Sequence, residues 1–178
     1  MKSICKFVYR NILGWHMVGQ FPELDKYVVI VAPHTSWHDF YLGLLLRAQV
    51  DTRIHFMAKK ELFVFPFGWF FRKIGGAPLD RSGNQDKVKQ IASLFQNQRT
   101  FKLAMAPEGT RKKVTSWRTG FYFVAKLAKV PVVMVVFDYA KKEHRISEPF
   151  YTTTNQAEDF RRMQAFYKGA VGKIPEYS

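Results

Sequence analysis

Apolar residues along this chain fall into two rhythms. Short runs at residues 27–32 (Tyr-Val-Val-Ile-Val-Ala), 53–58, 101–106 and 131–137 (Pro-Val-Val-Met-Val-Val-Phe) predict strands. Runs of this length without polar alternation fit strands buried on both faces. A further extended piece at 145–150 predicts an edge strand. Between these runs the spacing becomes helical. It predicts helices from about residue 40 to 49, from Ser82 to about 97, from 120 to 129, and from Asn155 to about 168. Ser82 with Gln85 and Asn155 with Glu158 each have the spacing of a capping box. Strands alternating with helices predict an α/β layered domain, with a largely parallel central sheet flanked by helices, over residues 21–178.

Residues 2–18 predict an amphipathic helix, making 1–20 a segment of its own. Ile4, Phe7, Val8, Ile12, Trp15 and Val18 recur at helical spacing, and Lys2, Lys6 and Arg10 lie four apart on another face. Such a helix either packs on the domain or lies in a membrane interface with Trp15 at headgroup depth. Residues 62–71 (Leu-Phe-Val-Phe-Pro-Phe-Gly-Trp-Phe-Phe) sit between Lys59-Lys60 and Arg72-Lys73. Aromatic residues bracketed by cations suit the boundary between lipid tails and phosphates; a core helix broken at Pro66 is the other possibility, and the expectation is that half of these side chains are buried.

Composition narrows the class. With 178 residues, 47% of them hydrophobic, the chain can bury one proper core and is not disordered. The 17 Phe imply a very aromatic core or an apolar surface that meets lipid or an acyl chain. The net charge of +14 admits nucleic acid, an anionic membrane or a phosphorylated substrate as partner. The basic residues are dispersed and carry no nucleic-acid motif, so no nucleic-acid partner is expected. Cys5 alone allows no internal disulfide. No run approaches the ~20 apolar residues of a spanning helix, and Lys6 and Arg10 interrupt anything resembling a secretory signal. A protein peripheral to the cytoplasmic side of a membrane, with the whole chain as the mature form, fits this pattern.

Three turns follow apolar strands and hold the candidate chemistry. The first contains His34 and Asp39, five residues apart, where the 27–32 strand gives way to a helix. A neutral imidazole there can take a proton from a hydroxyl while the carboxylate holds its other nitrogen. The same stretch also fits a capping box between Ser36 and Asp39. The second turn runs from Gly75-Gly76 to Arg81, and the third is Glu108-Gly109-Thr110-Arg111. In a parallel sheet, strand ends that open into helices lie on one side, so the three turns can converge. They would bring together a base with its carboxylate, backbone N–H groups, and two arginines suited to bidentate phosphate binding. His34 and His38 at i, i+4 raise the alternative of a zinc site, but no third ligand is evident and no metal is expected.

His34-xxxx-Asp39, Gly76-xxxx-Arg81, Glu108-Gly109-Thr110-Arg111 and Val130-Pro131-Val132-Val133 resemble, in order and spacing, the four blocks of the glycerolipid acyltransferases, of which lysophosphatidic acid acyltransferase is the type. The resemblance implies an O-acyltransferase fold and reaction. A fatty acyl group would pass from acyl carrier protein or coenzyme A thioester directly to a lysophospholipid hydroxyl, with no further cofactor. His34 would be the general base and Asp39 its orienting partner, and Arg81, Glu108, Gly109, Thr110 and Arg111 would bind the acceptor. An anionic membrane surface would be a further partner. A lyso-aminolipid acceptor, or lipid binding without catalysis, is the alternative.

Overall fold

The computed structural model describes residues 2–50, 52–79 and 87–178. Seven strands form one sheet: β1 (His16–Val18), β2 (Lys26–Ala32), β3 (His55–Lys59), β4 (Gly76–Leu79), β5 (Phe101–Met105), β6 (Val132–Asp138) and β7 (Glu143–Ile146). Their order is β1-β7-β6-β2-β5-β3-β4. The neighbours from β6 to β4 all run parallel, β7 is antiparallel to β6, and β1 is parallel to β7. The helices are α1 (Lys2–Phe7), α2 (His38–Val50), α3 (Gly68–Lys73), α4 (Lys87–Asn97), α5 (Gly120–Ala128) and α6 (Gln156–Tyr167).

The continuous apolar runs of β2 and β6 have the expected cause. Val28, Ile30, Ala32, Val132, Met134 and Val136 face a core completed by α4, α5 and α6. Tyr27, Val29, Val133, Val135 and Phe137 face a second core with Leu42 and Leu46 of α2 and with Tyr9 and Trp15. Both faces are covered, so polar alternation has no place in these strands. The last helix starts where its sequence predicts: Asn155 Oδ1 accepts the Glu158 N–H at 3.1 Å.

Three expectations are corrected. The helix predicted over 2–18 stops early: α1 passes into a π-helical turn at Val8–Ile12, and His16–Val18 joins the sheet. Trp15 is 6% exposed and does not sit at a headgroup level. It is drawn inward by His144, whose ring stacks on it at 4.5 Å between centroids. The strand predicted at the sheet edge is interior, since β1 pairs along the outer side of β7. The expected half-burial of 62–71 also shifts toward solvent: Phe63 is buried, whereas Val64, Phe65, Phe67, Trp69 and Phe70 are exposed. The predicted capping box of Ser82 and Gln85 lies outside the described residues.

His144 locks the N-terminal segment onto the sheet. Tyr9 donates its hydroxyl proton to the His16 carbonyl at 3.1 Å, so His144 Nδ1–H donates to Tyr9 Oη at 2.7 Å. Burial holds this imidazole neutral, with its pKa down to about 3 from an ordinary 6.5. The depressed value means that the unfolded chain takes up a proton that the native state refuses as the pH falls below about 6.5. Stability from this site is therefore fully present above that pH and is lost on acidification. Thermal unfolding followed between about pH 7 and 5 should show a falling midpoint, offset in part by the buried Glu108, whose raised carboxyl pKa acts in the opposite sense. His144→Phe should flatten the fall, leaving the contribution of His55, whose pKa burial also lowers. A wild-type midpoint that stays level over this window would contradict the assignment.

Candidate active site

β2 ends at Ala32, and the chain turns through residues 33–37 into α2. The strand order decides what meets this turn. β5 and β6 flank β2, both parallel to it, so their carboxyl ends open on the same side. The turn after β5 brings Glu108, and the residue after β6 is Tyr139.

Asp39 is the hub. Its Oδ2 lies 2.8 Å from His34 Nδ1 and accepts the Ser36 N–H at 3.0 Å. Its Oδ1 accepts the Tyr139 hydroxyl proton at 2.6 Å. The capping bond and the histidine contact therefore coexist on one carboxylate rather than compete. The Asp39 side chain is 2% exposed and that of His34 25%. A carboxylate can only accept, so His34 Nδ1 carries the proton and Nε2 keeps its lone pair. That is the tautomer a general base needs, on an imidazole that solvent can still reach.

Glu108 fixes the turn from the other side. Its Oε2 accepts the His34 backbone N–H at 2.8 Å. The residue is 8% exposed. Burial raises its carboxyl pKa; the His34 N–H and the His34 ring offset only part of the rise, and the Asp39 charge adds to it. The first and third candidate turns are thus joined by a direct bond. Gly109 follows with φ 66°, and a Cβ at this position would come 2.6 Å from Arg118 Cδ. The left-handed backbone favours glycine here, and a Cβ would displace the Arg118 side chain that lies over it. Thr110 Oγ1 accepts the Lys112 N–H at 3.3 Å, which ties the loop to itself, and Arg111 is exposed on it. Arg81 lies outside the described residues. His38 Nδ1 pairs with Ser36 Oγ at 2.8 Å. Among the described residues no group of three or more His, Cys, Asp or Glu is arranged to hold a metal.

Sequence reasoning passes over Arg118 and Tyr139. Arg118 is brought back to the loop by its backbone N–H, which donates to Pro107 O at 2.8 Å. Tyr139 had a signal: it directly follows a buried strand, as the His34 and Glu108 turns do. A single aromatic residue after a strand does not declare its partner.

Comparison with known proteins settles the family. The family model described as Acyltransferase matches residues 16–138, from β1 to the end of β6. This chain belongs to the acyltransferase family. Among curated proteins it is similar to a 1-acyl-sn-glycerol-3-phosphate acyltransferase of Streptococcus pneumoniae, with 30% identity over 125 residues, covering 69% of this chain and 46% of the relative. It is also similar to one of Bacillus subtilis, with 30% identity over 117 residues, covering 64% of this chain and 56% of the relative. The chain therefore spans about half the length of the curated relatives it matches. Among solved structures, the 1-acyl-sn-glycerophosphate (LPA) acyltransferase PlsC of Thermotoga maritima superimposes with a TM-score of 0.65 at 21% identity, covering 94% of this chain and 75% of that one. At that identity the likeness speaks for the fold, a mainly parallel sheet with flanking helices.

Proposed function

We propose that this acyltransferase moves a fatty acyl group from a thioester of acyl carrier protein or coenzyme A to the hydroxyl of a lysophospholipid, with lysophosphatidic acid as the first acceptor to try. The observation that carries the proposal is the 2.8 Å contact between His34 Nδ1 and the buried Asp39 carboxylate at the end of β2. In this reading His34 Nε2 takes the proton from the acceptor hydroxyl as its oxygen attacks the thioester carbonyl. Asp39 stabilises the imidazolium that forms. The tetrahedral intermediate then collapses, the C–S bond breaks, and the proton passes from His34 to the leaving thiolate. Cys5 lies in α1, outside the turn, and takes no part. Arg111 and Arg118 border the Glu108-Gly109 turn with guanidinium groups of the geometry that binds a phosphate. They support an acceptor that carries one, and Arg81 is assigned with them by its place in the second block. Gly109 and Thr110 shape the loop on which these cations sit.

The acceptor and product are lipids, and two elements support a peripheral seat on an anionic membrane. Phe65 is 96% exposed, Trp69 68% and Phe67 65%, in and before α3. Lys73 Nζ stands 4.7 Å above the Trp69 ring, and Arg72 follows the same exposed aromatics. On α1 and the turn after it, Ile4, Phe7 and Ile12 are exposed as well. Both elements border α2: Tyr9 packs with Leu42 and Leu46, and Arg47 donates to the Ile74 carbonyl just past α3 at 2.6 Å. Aromatic and aliphatic side chains beside cations match the acyl–headgroup boundary. Among the described residues, no helix is long and apolar enough to cross a membrane.

Release of free thiol from an acyl thioester should require lysophosphatidic acid, and His34→Ala should reduce it by about 10²–10⁴-fold. Thiol release without any acceptor would point instead to a thioesterase. Release with a lyso-aminolipid but not with lysophosphatidic acid would keep the chemistry and replace the substrate. No release with any of these, with lipid binding intact, would leave a lipid-binding protein whose Asp39 merely caps α2.

Co-sedimentation tests the membrane seat. Replacing Phe65 and Trp69 together by Ser should weaken binding to vesicles containing anionic phospholipid by tenfold or more, since burial of one large apolar side chain is worth about 1.5–3 kcal/mol. An unchanged partition would remove α3 from the membrane surface.

A further inference from the structure

The Asp39 carboxylate has two donors more than a histidine–carboxylate pair requires, and one of them, Tyr139, comes from outside its own turn. On the reading of His34 and Asp39 as the catalytic pair, we propose that Tyr139 is a positioning residue for acyl transfer, its hydroxyl holding Asp39 in the one orientation that presents the opposite oxygen to His34.

A lone carboxylate can rotate about its Cβ–Cγ bond and exchange its oxygens. Here Oδ2 serves His34 and Ser36 while Oδ1 serves Tyr139. Rotation would break all three bonds together, and bonds to an ionised acceptor are the stronger kind. The Tyr139 bond comes from the residue just past β6, 100 residues along the chain, so it fixes Asp39 against the sheet rather than within its own helix.

Tyr139 is held from several sides. Its backbone N–H donates to Val171 O at 2.8 Å. Trp15 meets its ring edge-on at 5.0 Å between centroids, and Lys173 Nζ lies 5.8 Å from the ring centre. The segment holding it also holds the catalytic turn. Ile174 N–H donates to Thr35 Oγ1 at 3.1 Å, and a Cβ on Gly172 would come 2.6 Å from the same Thr35 oxygen. Trp15 is itself fixed by His144. The N-terminal segment, the end of β6 and the C-terminal segment thus converge on one phenol. A surface tyrosine satisfying a nearby acceptor needs no such bracing.

The phenol also shares the carboxylate's charge. Burial first, and then the hydrogen bond and charge of Asp39, push its pKa well above the ordinary phenol range, so it remains a donor throughout the working pH range. Other titratable groups face this cluster: Tyr41 on α2, Glu108 after β5, His144 on β7, and Lys173 on the C-terminal segment. They stay in place when only the phenol oxygen is removed. Losing its proton would leave the Asp39 charge less shared, and the His34 imidazolium would be held more tightly.

The test is Tyr139→Phe in the acceptor-dependent thiol-release assay. The expected result is a kcat about tenfold lower, as for one lost charge-assisted bond, with KM little changed and the acid limb of the kcat profile moved to higher pH. In a His34→Ala background the same change should have no further effect, because orientation of an absent base cannot matter. Wild-type kcat and pH profile in Tyr139→Phe would overturn the proposal. So would an equal loss with and without His34, which would mark a purely structural contact. Activity retained by His34→Ala alone would instead remove the catalytic pair itself. Should the Phe variant fail to fold by circular dichroism, 3-fluorotyrosine at position 139 keeps the ring and strengthens the donor. It should shift the acid limb to lower pH, and an unshifted limb would overturn the proposal.

Discussion

The structure depends on one buried negative charge. A carboxylate taken out of water is costly unless its oxygens receive donors that replace the lost hydration. Asp39 receives three, from the His34 ring, the Ser36 backbone and the Tyr139 hydroxyl. Two of them come from its own turn and one from the far end of β6. The need to bring them together links the start of α2 to the centre of the sheet. The strand order then puts β5 and β6 on either side of β2. Glu108 can in this way clamp the His34 backbone from one neighbour while Tyr139 reaches Asp39 from the other.

This arrangement also shows a helix cap extended into a histidine–carboxylate pair. Ser36 and Asp39 alone make a helix cap of the kind found at many N-termini. A cap needs only one carboxylate oxygen and leaves the side chain in solvent. Here the carboxylate is buried and meets an imidazole whose backbone is separately anchored by Glu108. The cap supplies rigidity, and the added burial turns that rigidity into a fixed tautomer on a ring still 25% exposed.

How much of this was legible in the sequence follows from the range of each interaction. β2 and β6 declared themselves because both faces of each are buried, which leaves runs no amphipathic helix would carry. Asn155 and Glu158 declared the start of α6 because a cap is local. His34, Asp39 and Glu108 could be expected on one side because strand ends in a parallel sheet face one way, but only the resemblance to the glycerolipid acyltransferase blocks marked them together as site residues. Tyr139 could not be tied to Asp39, since nothing in its neighbours records a partner 100 residues away. The N-terminal segment misled for the same reason. Helical spacing places Trp15 and Val18 on the apolar face of a helix over 2–18, but His144 pulls Trp15 inward and β7 recruits His16–Val18 as a strand. The aromatics at 62–71 could be marked as unusual, yet their split between core and surface depends on how α3 lies beside β4, which the composition does not encode.

The central claim is that Asp39 fixes His34 as the base, with its proton on Nδ1 and Nε2 bare. Long-range ¹H–¹⁵N NMR of the histidine rings, at a pH where the imidazole is neutral, tests this directly and needs no substrate. The account predicts that His34 shows the Nδ1–H tautomer, with Nε2 resonating as an unprotonated nitrogen, and that Asp39→Asn releases this preference. A His34 ring with its proton on Nε2 in the wild-type protein would contradict the account, since the nitrogen meant to accept the proton would already hold one.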